Sequence, residues 1–210
     1  MKKLLQDFYR RKDVITIAKE LLGKIIVTDI AGIKTSVRIA ETEAYVALVD
    51  KASHAYKGRR TGRNEYMYSE GGTVYVYICY GIHNMLNVVT NDKEIPDAVL
   101  IRAGDSIEGI EIMPERTGKK VFDNTLTKGP GNLAKALGIN KSHSGFIYGE
   151  HRIDIFKDSF RLTENEIGIS KRIGVQSTGA DALLPYRFYI KGNRFVSGKL
   201  LNKKMVLTNY

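Results

Sequence analysis

A strictly alternating stretch early in the chain constrains the fold most. Between Val37 and Tyr45, the residues Ile39, Glu41 and Glu43 occupy every second position. A period of two residues is typical of a β-strand, and it places the two carboxylates and the tyrosine ring on one face. A carboxylate beside an aromatic ring is a candidate catalytic pair.

A second β-rich segment runs from Thr73 to Thr90 and carries three tyrosines in its first half. Gly81 separates its two apolar runs, which predicts a β-hairpin with Tyr80 near its tip. Tyrosines at alternating strand positions are commonly half-buried packing residues. A base-stacking surface is the functional alternative.

The segment between these two, residues 50–64, is polar, punctuated by glycines and strongly basic, which predicts a surface loop. Four of its cations could contact successive phosphates, namely Lys57, Arg59, Arg60 and Arg63. A mobile, solvated loop is the simpler interpretation. The tyrosines that follow favour nucleic acid, because binding to exposed bases combines basic groups with stackable rings.

The charge balance points the same way. Lys and Arg number 33 and Asp and Glu 23, which gives a net charge of 33 − 23 = +10, and the sequence pI is about 9.5. Such an excess suits a polyanionic partner, although a basic, solvated surface is equally compatible with it. No apolar run reaches the roughly 18 residues of a membrane span, and no secretory signal opens the chain. We therefore expect an intracellular protein without a membrane segment.

Cysteine and histidine usage argues against a metal site or a bound cofactor. Cys79 is the only cysteine, so the chain can form no internal disulfide and no cysteine-based metal cluster. The four histidines show no paired metal-binding motif such as HExxH. We predict a buried, inert thiol at Cys79 and no metal dependence.

The other segments predict a mixed fold. Asp13 is a good helix N-cap for the apolar pattern that ends at Gly23, and Gly129-Pro130 should open a second short helix. Further elements are predicted as strands over residues 24–29, 35–45, 97–103, 152–156, 168–176, 187–191 and 194–196, and as a short helix over 106–113. Arg102, at the end of a buried strand, needs a partner such as Glu41 or Glu43.

Most connections between these strands are too short for parallel crossovers. We therefore predict one α+β domain over residues 1–210, with a curved, largely antiparallel β-sheet flanked by helices and a protruding β-hairpin.

Several motifs in order resemble one enzyme family. They are Arg38-Ile-Ala-Glu-Thr-Glu-Ala-Tyr45, His54, Arg60-Thr-Gly-Arg-Asn64, Gly72-Thr-Val-Tyr-Val-Tyr-Ile-Cys-Tyr-Gly81 with Asn87, Val99-Leu-Ile-Arg-Ala103, Gly129-Pro130, Arg172-Ile-Gly-Val175 and Arg187-Phe-Tyr-Ile190. Each motif alone is weak, but their order and spacing resemble the alkyladenine (3-methyladenine) DNA glycosylase family over nearly the whole chain.

The resemblance implies a DNA repair enzyme without a cofactor. Such enzymes flip a damaged purine out of duplex DNA and hydrolyse its N-glycosidic bond, leaving an abasic site. We expect a monofunctional, monomeric glycosylase acting on 3-methyladenine, with hypoxanthine and ethenoadenine as further candidate substrates. It would be cytoplasmic, and nucleoid-associated if bacterial.

The resemblance also assigns roles to single residues. Glu43 matches the general base, with Arg102 and the backbone carbonyl of Ile173 helping to fix the attacking water. The base pocket would comprise Tyr45, His54, Tyr77 and Asn87. Tyr80 matches the wedge that enters the minor groove, and further DNA contacts are expected from Ile82, His83, Arg59, Thr61 and Arg63. Glu41 is expected to be structural, as a partner of a neighbouring basic group.

Two departures from the family pattern affect the expected substrate range. Ile82 and His83 stand beside the wedge where relatives carry other large groups, and Gln176 stands where a glycine is usual. Two other hypotheses remain at this stage. One is a nucleic-acid-binding module without catalysis. The other is a hydrolase of free nucleosides that uses Glu41 and Glu43 as an acid/base pair.

Overall fold

The structure, a computed structural model, describes residues 1–198 and combines nine strands with four α-helices in that range. The strands are β1 Lys2–Lys3, β2 Ile25–Ile30, β3 Ile33–Tyr45, β4 Val74–Cys79, β5 His83–Thr90, β6 Asp97–Glu108, β7 Ile153–Lys157, β8 Ile167–Ser170 and β9 Arg187–Ile190. The α-helices are α1 Gln6–Tyr9, α2 Val14–Glu20, α3 Met113–Thr117 and α4 Pro130–Ala136.

The strands form one antiparallel sheet in the order β1-β7-β2-β3-β6-β5-β4, with β9 added to β3 and β8 to β9. The longest strand, β3, pairs with β6 along one edge, and its other edge is shared by β2 and then β9. Register shifts interrupt the β3–β6 ladder at three places, two of them at Glu41. Such bulges bend a strand and increase its twist. The predicted α+β class with an antiparallel sheet is confirmed.

Helix α2 shows how the sequence fixes the packing against the sheet. The side chain of Asp13 accepts hydrogen bonds from the backbone N–H groups of Ile15 and Thr16, both at 3.0 Å, and so caps the helix as predicted. The buried side of α2 packs on β3, where the Thr42 hydroxyl donates to the Ala18 carbonyl at 2.8 Å. Thr42 therefore faces the helix, on the side of β3 opposite to its neighbours at 41 and 43.

Three predicted elements were wrong. The helix expected over 106–113 does not form, because β6 continues to Glu108 and pairs there with Ser36 of β3. Pro114 lies in the first turn of α3, where a missing N–H costs nothing. The strand expected over 168–176 ends at Ser170, and a 3₁₀-helix follows at Gln176–Leu183. Residues 194–196 form no strand.

The apolar core lies where α2 and α4 pack on the sheet, and a second, smaller cluster lies beneath β4 and the 46–68 segment. The smaller cluster contains Ala55, Met67, Tyr68, Tyr75, Val89 and Ala98. Within residues 1–198, no helix is both long enough and apolar enough to cross a membrane.

Candidate active site

Glu43 is the centre of the site. Its side chain is fully buried near the end of β3 and accepts three hydrogen-bonding or ionic contacts. The backbone N–H of Ile173 donates to Oε1 at 2.8 Å, the hydroxyl of Tyr45 donates to Oε2 at 2.8 Å, and Nη1 of Arg102 lies 3.2 Å from Oε2. Ile173 thus contacts Glu43 through its N–H, and the expected contact of its carbonyl with the attacking water stays a prediction.

Arg102 lies on β6 opposite β3 and contacts both carboxylates of the alternating stretch. Its Nε donates to Oε1 of Glu41 at 2.9 Å. Burial alone would lower the pKa of Arg102, but the charges of Glu43 and Glu41 raise it. The guanidinium therefore stays charged, and the shared arginine places Glu41 and Glu43 on one side of β3, as the alternation predicts.

A small pocket opens beside this centre. It is lined by Tyr45, Ala52, His54, Met67, Tyr75, Tyr77, Asn87 and Ala98. All four predicted pocket residues are therefore brought together here. Tyr45 connects the pocket to the carboxylate, because its ring lines the cavity while its hydroxyl bonds Glu43. Burial, followed by the charge of Glu43, raises the pKa of Tyr45 well above its usual value, so the hydroxyl remains a donor.

His54 is fixed in the pocket as a neutral ring. Its Nδ1 lies 2.8 Å from the hydroxyl of Tyr75, and its ring meets that of Tyr77 edge to face at a centroid distance of 4.5 Å. Burial, together with the cations Arg63 and Arg59, lowers the pKa of His54 to about 4. Burial raises the pKa of Tyr75, so both partners of this hydrogen bond are neutral.

Asn87 is held rigidly on the floor of the same pocket. Its side-chain amide donates to the carbonyls of Tyr75, at 3.2 Å, and Met85, at 3.0 Å. These bonds orient the Asn87 side chain across the β4–β5 pair, where Tyr75 and Asn87 are directly opposed.

The β4–β5 hairpin projects from the sheet with an apolar tip. Tyr80 is 86% exposed and Ile82 67% exposed, and the tip closes through a hydrogen bond from the Ile82 N–H to the Cys79 carbonyl. Tyr80 and Gly81 both have positive φ angles, of +50° and +75°, which a tight hairpin turn requires. The sequence prediction of a tip at Tyr80 is therefore correct. Cys79, expected to be buried, is only partly so.

His83 lies at the base of the hairpin, half-buried against α4. A Cβ added at Gly131 would come within 2.8 Å of its Nδ1, so only glycine permits this close packing. His83 therefore braces the hairpin against α4, whereas Ile82 extends beyond it.

The basic 50–64 loop is organised by one buried side chain. Asn64 accepts from the N–H and hydroxyl of Thr61 and donates to the carbonyls of His54 and Arg59. Thr61 and Arg59 are thereby held at the exposed rim of a groove that also contains Tyr80 and Arg102.

Two other arginines of this loop differ in their engagement. Arg63 lies over the Tyr77 ring, 5.4 Å from its centre, and borders the groove. Arg60 instead forms ion pairs with Glu65 and Glu94, both at 2.6 Å. Of the four loop cations expected to contact phosphates, Arg60 is therefore already paired with carboxylates of the protein.

Sequence reasoning missed a buried ion pair behind the site. Arg172 is the largest fully buried side chain and forms a bidentate pair with Asp50. It also donates to the Ala44 carbonyl at 3.0 Å, and its guanidinium lies 4.8 Å from the Tyr45 ring centre. Arg172 stands in one of the family-like motifs, but its role depends on Asp50, which is 122 residues away in the chain.

Comparison with known proteins agrees with this geometry. The family model described as "Methylpurine-DNA glycosylase" matches residues 7–194. A protein of Clostridium perfringens (strain 13), named "Putative 3-methyladenine DNA glycosylase", is 42% identical over 205 residues, covering 94% of this chain and all of the relative. Relatives of the same name from Clostridium acetobutylicum and Desulfitobacterium hafniense are 42% and 41% identical, covering 93% and 95% of this chain and 97% and 100% of their own. The chain therefore belongs to the methylpurine-DNA glycosylase family of DNA repair enzymes, as its motifs predicted.

Proposed function

We propose that this chain is a monofunctional, monomeric DNA glycosylase that releases 3-methyladenine, and related damaged purines such as hypoxanthine or ethenoadenine, from duplex DNA. The observation that carries the proposal is the position of Glu43. A fully buried carboxylate is bonded through Tyr45 to the wall of a ring-lined pocket, beside a projecting aromatic tip.

The projecting tip supports base flipping. A glycosidic bond inside a stacked duplex is out of reach of any side chain, so the nucleotide has to leave the helix. Tyr80, exposed at the tip, can fill the vacated space and offset part of the lost stacking. Arg59, Thr61 and Arg63 border the groove leading to the pocket, where they can contact the DNA backbone.

The pocket favours electron-poor purines. Tyr45 and Tyr77 present aromatic walls, which attract a positively charged alkylated base as they attract other cations. Neutral His54, bonded to Tyr75 through Nδ1, keeps its other ring nitrogen for a hydrogen bond to the sugar or the base edge. The Asn87 side chain, fixed by two backbone carbonyls, can exclude guanine by crowding its exocyclic amino group.

Glu43 would act as the general base. Its Oε1 accepts one hydrogen bond in the structure and so retains a free lone pair for a water molecule. The carboxylate orients and deprotonates that water for attack on C1′, and its charge stabilises the oxocarbenium-like transition state. Arg102 places a positive charge 3.2 Å from Oε2 of this carboxylate.

The decisive test uses duplexes that each carry one lesion. The wild-type protein should release free base without cleaving the strand, and borohydride should trap no covalent adduct, because no lysine lines the base pocket in the described structure and Lys51, which lines the adjoining groove, is exposed. The E43Q variant should bind the same duplexes and release no base. Binding by the wild type without release would contradict the proposal and favour a non-catalytic lesion-binding module.

The acid/base pair of a free-nucleoside hydrolase finds no support in this geometry. Glu41 accepts four hydrogen bonds from Arg102, Arg187 and Ser197, and only the first of these three residues borders the groove. If the protein released bases equally well from free nucleosides and from DNA, the proposal that it acts on duplex DNA would be refuted.

A further inference from the structure

Glu41 sits at the centre of a buried polar cluster behind the proposed general base. Its Oε1 accepts from Nε of Arg102 at 2.9 Å, Nε of Arg187 at 2.7 Å and the hydroxyl of Ser197 at 2.9 Å. Its Oε2 accepts from the backbone N–H of Ser197 at 2.6 Å. The four side chains belong to β3, β6, β9 and the segment after β9, so the cluster joins distant parts of the chain.

Arg102 uses all three of its nitrogens in this arrangement. Nε binds Glu41, Nη2 lies 3.2 Å from the Ser197 hydroxyl, and only Nη1 is directed at Glu43, 3.2 Å from its Oε2. A guanidinium is a rigid planar fork, so anchoring two of its nitrogens fixes the direction of the third. Without these anchors, Arg102 could turn and form a two-pronged pair with Glu43 that covers both carboxylate oxygens.

We propose that Glu41, together with Ser197, is a positioning residue for the glycosylase reaction, because it holds Arg102 so that only Nη1 faces Glu43, at Oε2, and Oε1 keeps a free lone pair for the attacking water. The inference rests on the proposed function of Glu43. It gives the two carboxylates of β3 different tasks. Glu43 meets the water, and Glu41 acts only through Arg102.

The alternative explanation is that Glu41 only stabilises the fold, by compensating the positive charges of the buried arginines. The cluster contains two arginines, and Glu41 lies between them, so its loss leaves a buried positive charge uncompensated. Arg187 separates the two explanations. Removing the charges of Glu41 and Arg187 together restores the charge count, but it does not restore the anchor of Arg102.

The experiment compares the wild type with E41Q, E41Q/R187Q and S197A. Each protein is assayed under single-turnover conditions for 3-methyladenine released from a methylated duplex, for its Kd with an uncleaved lesion duplex, and for its Tm. S197A removes the hydroxyl that bonds both Arg102 and Oε1 of Glu41, but Glu41 keeps the Ser197 backbone N–H and both arginines, so the variant should fold normally.

We expect E41Q to lose stability and to release base about 10- to 100-fold more slowly, as misplaced catalytic groups do. E41Q/R187Q should regain Tm and remain as slow as E41Q, and S197A should be several-fold slower with a Tm near that of the wild type. Lesion binding should be unchanged in all three. A wild-type rate in E41Q/R187Q would overturn the inference, and if the Glu41 variants do not fold, a wild-type rate in S197A would overturn it. A wild-type protein that releases no base would instead refute the proposed function, and this inference with it.

Discussion

The buried pair of Arg172 and Asp50 allows a quantitative test of how the site is held together. Both side chains are almost completely excluded from solvent, with exposures of 0% and 1%. Removing one partner of such a pair leaves an uncompensated buried charge and typically costs about 3–5 kcal/mol. Asp50→Asn keeps the shape and one acceptor oxygen, so we expect a loss at the lower end of this range, about 3 kcal/mol. For a chain of this length, that corresponds to a fall in Tm of roughly 6–12 °C.

The exposed pair of Arg10 and Asp92 provides a matched control. Its side chains are 45% and 48% exposed, and the two atoms are 3.0 Å apart. Exposed ion pairs contribute at most about 1 kcal/mol, so Asp92→Asn should change Tm by only a few degrees. Urea or thermal unfolding of both variants measures the difference. If the two substitutions cost the same, the burial argument is refuted.

The buried pair of Arg172 and Asp50 should also affect catalysis, at temperatures where the Asp50→Asn variant remains folded. Arg172 directly precedes Ile173, whose N–H bonds Glu43, and Asp50 accepts the N–H of Ala52 in the pocket wall at 2.9 Å. Asp50→Asn should therefore slow base release at 20 °C, while Asp92→Asn should leave the rate unchanged. If both variants released base at the same rate, the buried ion pair would have no role in the reaction.

Three further outcomes are expected. Tyr45→Phe keeps the ring but removes a hydrogen-bond donor from Glu43, so single-turnover base release should fall about 10-fold with little change in lesion binding. Tyr77→Phe is the control, because the Tyr77 hydroxyl forms no hydrogen bond within residues 1–198. Equal losses in both variants would contradict a role for the Tyr45 hydroxyl in the reaction. Tyr80→Ala should weaken binding to lesion duplexes about 10-fold or more, with Tm unchanged because the side chain is exposed; a lowered Tm would contradict a free tip. His54 has a pKa of about 4 in the folded protein, below its usual 6.5, so the unfolded state binds more protons between pH 4 and pH 6.5. The stability contributed by neutral His54 is therefore complete above pH 6.5 and is lost as the pH falls towards 4. The unfolding free energy of the wild type should therefore fall by about 1–3 kcal/mol more than that of His54→Asn over this interval, and parallel pH curves would exclude the shifted pKa.

Local patterns predicted the parts of the fold that depend on neighbouring residues. Asp13 caps α2, Gly81 permits the tight turn at Tyr80, and the alternation before Tyr45 is a strand. Where the predictions were wrong, a distant partner decided the structure. Residues after Ser106 resemble a short helix in isolation, but they extend β6 because β3 offers a hydrogen-bonding edge.

The candidate site followed the same division. The residues that face the pocket could be read from family-like motifs, whereas those that hold them in place could not. Tyr75, which bonds Nδ1 of His54, looks like any other strand tyrosine in the sequence. Ser197 carries no local signal at all, and its importance depends on contacts with Glu41 and Arg102, 156 and 95 residues away.

The two carboxylates of β3 show why spacing alone could not assign their roles. Glu41 and Glu43 are two residues apart, share one face, are both fully buried and both contact Arg102. They differ in what surrounds them. Each acid has one oxygen with a single N–H contact, so the count of contacts does not separate them. The three donors around Glu43 all border the groove, whereas of the donors around Glu41 only Arg102 does. A carboxylate can act as a base only where a lone pair remains free beside the substrate, which is why we propose the base role for the acid nearer the groove.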